Sequence, residues 1–466
     1  MKRYDLLYRL YDEFDTAALR EHQSFVDLFP PVDSRVALDH WEDASEELTR
    51  RKTAIADAIP HGETFAEVAS YADRETAFTA LDLLNRYGRA VDALVLDVDE
   101  TLRSAGGTDN EIPRETLHVL GKLHESGVPI VVCTGQTLEN VKGFAIQGLG
   151  NELVHSGTLS IVYEAGNGVF TPGHGSRTKR LLYEDLGEDV RTVFDEVRSR
   201  VLPTAPRNVR RGSHLQGNEF NVTLKPNFET GSDAAETVID DGLVHLIDLL
   251  GEAVIGTIAG DAGASGTDDA SAGDGAAWAR AHYAAADPEI REVLASNAAG
   301  SDDGTDTVPD DGTDTVPDDN TPVPDVDIGS IPEAVRALFD GIDVGYYRAD
   351  AAEIGSLELN KAAGVEAALD VLGVEDPFVL VMGDSKSDLR VMEWAAENAA
   401  GIAAAPEHAS ADVLAHVRGG DELVYGRRQA AEILRTVHAL NRLADLEGDS
   451  VSGRPAAVTR DRRPPN

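Results

Sequence analysis

Three short runs in the chain are apolar throughout and end in polar residues with chemical potential. Leu94-Val95-Leu96 leads into Asp97-Val98-Asp99-Glu100-Thr101, and Val128-Pro129-Ile130-Val131-Val132-Cys133 leads into Thr134-Gly135-Gln136. Phe378-Val379-Leu380-Val381-Met382 leads into Gly383-Asp384-Ser385-Lys386-Ser387-Asp388. Continuous apolar runs of this length read as strands buried on both faces of a parallel sheet. Ligands of open α/β sheets bind beyond the carboxyl ends of the strands. The three polar endings are therefore expected at one edge, where the carboxylates gather and the Thr134 hydroxyl and nearby backbone N–H groups meet an anion.

Other segments follow helical or alternating periods. Asn360-Lys361 opens a predicted helix with the apolar stripe Val365, Ala368, Leu369 and Leu372 and Gly373 as its stop, so Lys361 stands at a helix N-terminus, where ammonium and dipole both favour a phosphate. Thr76 to Tyr87 predicts a helix with Ala77, Leu81 and Leu84 on one face, within an N-terminal helical extension over residues 1–90 that suggests no chemistry of its own and is expected to pack on the core. Strands are expected at Leu159–Tyr163, followed by the Asn167-Gly168 turn, at 219–224, where hydrophobic and polar positions alternate, and at Asp343–Tyr347.

In this order, Asp-x-Asp-x-Thr, strand-Thr-Gly, Asn-Lys-Ala and Gly-Asp-x-x-x-Asp resemble the four motifs of the haloacid dehalogenase (HAD) superfamily of phosphoryl-transfer enzymes. The resemblance implies that Asp97 is a nucleophile forming an aspartyl-phosphate and that Asp99 is the general acid-base. It implies that Thr134 and Lys361 clamp phosphoryl oxygens. It also implies Mg²⁺ held by the Asp97 carboxylate, the Asp99 backbone carbonyl and Asp384, with Asp388 nearby. Glu100 stands where many relatives have glycine, Gln136 where sugar-phosphate relatives often have arginine, and Ser387 where asparagine is frequent. These departures bear on the substrate more than on the reaction.

More than about two hundred residues lie between Thr134 and Lys361, too many for a simple connection. An insertion there resembles the cap of type IIB phosphatases of the superfamily, many of which act on sugar phosphates. The expected fold is α/β, with a Rossmann-like parallel-sheet core at 91–145 and 355–445 and an inserted α+β cap at 146–354. An acidic disordered insert at about 260–328 and a loose tail at 446–466 complete the expectation. The insert carries the repeat DGTDTVPD at 303–310 and 311–318, without an EF-hand's terminal glutamate, and one helix is expected within it from Trp278 to Ala295. In the cap, Arg177, Lys179 and Arg180 form one basic cluster and Arg207, Arg210 and Arg211 another; these are either substrate-reading groups or solvated charges. His155, His174 and His214 lack metal-ligand spacing and read as loop or surface histidines.

Composition sets the surroundings. Asp and Glu number 83 against 41 Lys and Arg, a formal charge of −42, which resembles salt-adapted cytoplasmic proteins and argues against a nucleic-acid partner. No apolar run approaches the roughly 20 residues of a membrane span, so a soluble, cytoplasmic protein without a membrane partner is expected. Cys133 is the only cysteine and reads as a small buried hydrophobe. The expected activity is a Mg²⁺-dependent phosphatase acting on a small phosphorylated metabolite, a sugar or polyol phosphate. A phosphotransferase or sugar phosphomutase on the same scaffold, or a catalytically idle scaffold, are the rival readings. Oligomeric state is not legible.

Overall fold

All four residues of β1 (Ala93–Leu96) are buried, and alternate side chains enter two different cores. Ala93 and Val95 belong to one, Leu94 and Leu96 to the other, as the two-residue period of a strand requires. The fully apolar run is thus a strand covered on both faces. Each fully buried Leu or Val contributes about 1.5–3 kcal/mol.

The chain is described here by a computed structural model covering residues 3–29, 34–103, 111–175, 179–218, 220–260, 271–300 and 326–451. After β1 come β2 (Ile130–Cys133), β3 (Leu159–Tyr163), β4 (Gly168–Phe170), β5 (Lys179–Leu181), β6 (Ser213–Asn218) and β7 (Asn221–Pro226). Then follow β8 (Ile342–Tyr347), β9 (Ala351–Ser356), β10 (Val379–Met382), β11 (Gly401–Pro406) and β12 (Leu423–Tyr425). The main sheet has eight strands in the order β12-β11-β10-β1-β2-β3-β4-β5, parallel from β12 to β3 and antiparallel at β4 and β5. Chain order runs outward from β1 through β2 and β3 on one side and from β10 through β11 and β12 on the other. The switch point, where such sheets bind ligands, therefore lies at β1 and β10.

On one face of this sheet, helices Lys361–Leu372, Lys386–Glu397 and Ala411–Gly419 contribute Val365, Leu369, Val391, Met392, Val413 and Val417 to the core. On the other lie helices Arg114–Glu125 and Ala430–Val451, and beyond them the N-terminal helices Arg3–Glu13, Thr16–Leu28, Arg35–Ala58, Gly62–Tyr71 and Arg74–Tyr87. Leu7, Leu10, Phe65 and Leu81 of that extension share one core with Leu94, Leu96 and Leu434. The described residues of the N-terminal extension pack on the core, as expected.

A second, four-stranded antiparallel sheet has the order β6-β7-β9-β8. Val222, Leu224, Val344 and Ile354 are buried on its inner face beneath helices that include Glu188–Arg200 and Ser232–Gly260. The Ser232–Gly260 helix corrects one expectation. Its segment Ala234–Ala259 is long and apolar enough to cross a membrane by length and composition alone. Asp240 accepts from the Tyr346 hydroxyl, and Asp248 is bound by Arg280 at 2.6 Å. Two-thirds of the apolar window is buried within the protein.

Three boundaries also differ from expectation. Residues 159–181, assigned to the cap by the sequence, complete the main sheet instead: Ile161 pairs with Val132 in parallel, and Val162 with Val169 in a return strand. The expected disordered insert contains two helices, Ala272–Ala286 and Pro288–Gly300, burying Ala279, Tyr283, Ile290 and Leu294. One helix over 278–295 was expected; the break falls at Asp287, which precedes a proline and whose carboxylate accepts the Glu289 N–H at 2.7 Å. The tandem repeat at 303–318 lies outside the described residues. Residues 446–451, expected to open a loose tail, instead continue the last helix to Val451; residues 452–466 lie outside the described residues.

Candidate active site

The ends of β1, β2 and β10 bring Asp97, Thr134 and Asp384 to one edge of the main sheet, and the Asp97 N–H donates to the Met382 carbonyl at 2.9 Å. Lys361 reaches this edge as the first residue of its helix. Asn360 caps that helix by accepting the Ala363 N–H at 3.0 Å. The approach is close because Gly166, at φ +108°, has no side chain: a Cβ there would lie 2.1 Å from the Asn360 carbonyl oxygen.

Lys361 Nζ donates to Asp97 Oδ1 at 2.9 Å and to Asp388 Oδ1 at 2.6 Å, with all three side chains at most 8% exposed. The other oxygen of Asp388 accepts the backbone N–H groups of Asp384 and Ser385, at 3.2 and 3.0 Å, and the Ser385 hydroxyl at 2.6 Å. Asp388 is thus the third residue of a helix-capping box and at the same time the anchor of Lys361. The Thr101 hydroxyl donates to Asp384 at 3.2 Å.

Carboxylate oxygens of Asp97, Asp384 and Asp388 lie within 4.8 Å of one another. Three carboxylates against one ammonium leave an excess of negative charge in a buried place, and hard oxygen donors suit Mg²⁺, so the residues fit a divalent cation. The electrostatics follow from the same crowding. Burial, above all, pushes the Asp97 carboxyl well above the carboxylate range, while Lys361 pulls it down and Asp388 and Asp384 push it up. Burial and Asp388 raise Asp384 to about 6. Burial would lower Lys361, but Asp388 and Asp97 outweigh it and keep the ammonium charged.

Asp99 stands apart from the trio. Arg103 Nε donates to one of its oxygens at 2.9 Å and the Gln136 side chain to the other. Gln136, noted in the sequence for what it replaces, thereby ties the end of β2 to the Asp-x-Asp loop. Thr134 is buried and accepts the Gln136 N–H at 3.1 Å. Glu100 adopts φ +56°, the conformation a glycine takes without strain, and is held by His408, whose Nε2 lies 3.0 Å from its carbonyl oxygen and 3.2 Å from its carboxylate. Arg103 and His408 were not singled out from the sequence, since neither carries a spacing signal. Cys133 is buried, and burial pushes its thiol up, away from a reactive thiolate.

A cleft of about 320 Å³ opens beside Lys361, between the sheet edge and the outer face of β8 and β9. Its second-sheet wall includes Asn221, Asp343, Tyr347 and Glu353, and its core wall Lys386 and Arg390. Burial raises Glu353, and the Thr223 and Tyr347 hydroxyls, 3.1 and 3.2 Å from its carboxylate, oppose that rise. None of the described basic residues named from the cap sequence lines this cleft. Arg207, Arg210 and Arg211 are exposed, Arg180 lies 3.9 Å from Asp370 beside a separate recess, Lys179 stands over the Tyr163 ring, and Arg177 falls outside the described residues. His174 binds the Gly157 carbonyl at 2.7 Å and His214 the Asn227 side chain at 3.2 Å, both in loop or edge roles.

No protein-family model matches the chain, and no curated protein matches it. Solved structures similar to it include the HAD subclass IIB sugar phosphatase BT4131, at 14% identity and a TM-score of 0.38, covering 76% of this chain and 100% of that one. The phosphatase BT1666 from Bacteroides thetaiotaomicron, of the same enzyme superfamily, is 15% identical with a TM-score of 0.36, covering 76% of this chain and 96% of that one. A haloacid dehalogenase-like hydrolase from the same organism is 12% identical with a TM-score of 0.34, covering 75% and 98%. The chemistry of the site therefore rests on this chain's own residues.

Proposed function

We propose that the protein is a HAD-type, Mg²⁺-dependent phosphatase that hydrolyses a small phosphorylated metabolite, a sugar or polyol phosphate, through an aspartyl-phosphate. The observation that carries the reading is the Lys361 ammonium bridging Asp97 and Asp388, with Asp384 within metal-sharing distance, at the switch point of a parallel sheet. A phosphate monoester needs its oxygens neutralised and its nucleophile aligned, which is what a charged, water-poor edge supplies.

In this scheme the Asp97 carboxylate attacks phosphorus, its new O–P bond forming as the ester P–O bond breaks, and Asp99 passes a proton to the departing alcohol. Asp99, now ionised, takes a proton from water; the resulting attack releases inorganic phosphate and restores Asp97. Lys361 and Thr134 hold the phosphoryl oxygens, and Gln136 and Arg103 aim Asp99. Bound at Asp97, Asp384 and the Asp99 carbonyl, with Asp388 bracing the site, Mg²⁺ would neutralise phosphate charge.

Phosphate release by the purified protein, with and without Mg²⁺, tests the reading. Metal-dependent release from a sugar or polyol phosphate is expected. Transfer to an alcohol with no release would favour the phosphotransferase or mutase; neither reaction would favour the idle scaffold.

A further inference from the structure

The outer face of the second sheet, which roofs the cleft, is polar. Across it runs one cross-strand row, Gln216, Thr223, Glu353 and Gly345, set by the register of β6, β7, β9 and β8. The glycine in that row matters. A Cβ on Gly345 would lie 2.9 Å from Glu353 Cγ and 3.1 Å from Oε1, so the Glu353 side chain lies flat where a neighbour's side chain would otherwise stand. One Glu353 oxygen accepts the Tyr347 hydroxyl at 3.2 Å, and the other lies 3.1 Å from the Thr223 hydroxyl, whose single proton it shares with the nearer Asn221 Oδ1 at 2.5 Å. A carboxylate has about four acceptor positions, so acceptor capacity remains towards the cleft.

The charges of the cleft point the same way. Five acidic side chains line it against three basic ones, and each basic one is engaged by acids. Lys361 is held by Asp97 and Asp388. Lys386 lies 3.4 Å from Glu289, 3.9 Å from Asp412 and 4.0 Å from Asp287. Arg390 binds Asp343. Glu353 itself has hydroxyls rather than a cation as its hydrogen-bond partners, and Lys225, the cation whose field it feels, lies 3.5 Å from Asp350. A second phosphate or carboxylate on the substrate would meet uncompensated negative charge here.

We infer that Glu353 is a specificity-determining residue that accepts hydrogen bonds from the hydroxyls of a polyhydroxylated leaving alcohol, and that the acidic cleft excludes esters with a second anionic group. The inference rests on the phosphatase reading for the identity of the reacting end, and it disfavours a bisphosphate-using mutase. It concerns the part of the substrate that does not react, so binding can test it without turnover.

The probes are three non-hydrolysable phosphonates, added with Mg²⁺ to the full-length protein in a calorimeter: a hexitol phosphonate, the corresponding bisphosphonate, and an alkyl phosphonate of equal length without hydroxyls. The hexitol compound is expected to bind at least about tenfold more tightly than either of the others. In Glu353→Gln the hexitol-to-alkyl affinity ratio should fall by about ten- to a hundredfold, as expected for hydrogen bonds to a charged acceptor. Gly345→Ala, which displaces the carboxylate without removing it, should lower the same ratio. A bisphosphonate bound as tightly as the hexitol compound, or a ratio unchanged in both variants, would overturn the inference. Failure of the phosphatase reading would show separately, as a wild-type protein that binds these ligands yet releases no phosphate from the matching esters.

Discussion

Lys361 Nζ and Asp388 Oδ1 lie 2.6 Å apart, and each side chain is only 4% exposed. The pair joins the helix that follows the second sheet to the loop that follows β10. Removing one partner of a buried ion pair costs about 3–5 kcal/mol, because the other is left uncompensated. Lys361→Met should therefore lower the unfolding free energy by about that amount in metal-free buffer. Because the variant leaves three carboxylates without their ammonium, Mg²⁺ should stabilise it more than it stabilises the wild type. Equal thermal midpoints for the two metal-free proteins would contradict this account of the pair.

Asp99 has a different environment, held by Arg103 and Gln136 outside the metal-ligating trio, so its loss should affect proton transfer more than metal binding. Asp99→Asn is expected to slow turnover by about 10²- to 10⁴-fold, with phosphoenzyme accumulating because the water is no longer deprotonated. Rapid-quench trapping of labelled protein reads this directly. An unchanged rate would remove Asp99 from the acid-base role.

Metal binding should be coupled to a proton. Burial and the neighbouring Asp388 raise Asp384 to about 6, so below that pH a cation must displace a proton from it. Mg²⁺ affinity should therefore rise with pH through about 6, and keep rising while the Asp97 carboxyl, which burial pushes well above the carboxylate range, still holds a proton for the cation to displace. Calorimetry at several pH values, in buffers of different ionisation enthalpy, measures both affinity and protons released; a flat profile with no proton release would contradict the assignment.

The contact between the N-terminal extension and the core should weaken in mild acid. Burial lowers His438 to about 4; Glu67, 3.8 Å away, opposes the shift, and the ring sits edge-on to Tyr71. A histidine whose pKa is lower folded than unfolded favours the folded state fully above its unfolded value near 6.5 and loses that advantage as pH falls towards the folded value. The loss by about pH 4 amounts to about 3 kcal/mol. Urea titrations at pH 7.5 and 5 should show the decline, and His438→Phe should flatten it; the same slope in both proteins would assign the acid sensitivity elsewhere.

The surface charge gives a salt dependence. With a formal charge of −42, repulsion among surface carboxylates should be reduced as KCl shortens the screening length from about 10 Å at 0.1 M to about 3 Å at 1 M. The thermal midpoint should rise over that range. A midpoint that falls with KCl would show that the excess charge is not what limits stability.

The parts of this structure that were legible in the sequence are those in which one local pattern decides the outcome. β1, β2 and β10 are apolar at every described position, and a strand buried on both faces produces that pattern. The helix from Lys361 to Leu372 has both its cap residue and, at Gly373, a left-handed stop. What was not legible depends on distant partners. Nothing in Leu159–Tyr163 states which of two sheets it joins. The glycines and alanines of 271–286 resemble a linker by composition, yet they let two helices touch: a Cβ on Gly275 would lie 2.3 Å from the Gly251 carbonyl oxygen. Glu353 gave no signal because its significance comes from Thr223 and Tyr347, which reach it from the two strands flanking its own.

The central claim is that Asp97 becomes phosphorylated and is then hydrolysed. The most direct measurement is mass spectrometry of acid-quenched protein after mixing with a hexose or polyol phosphate in molar KCl and Mg²⁺, alongside phosphate release, for wild type and Asp97→Asn. The account expects a phosphoryl adduct on the peptide containing Asp97, metal-dependent release in the wild type, and neither in the variant. Phosphate release that persists near the wild-type rate in Asp97→Asn, with no adduct on that peptide, would contradict it.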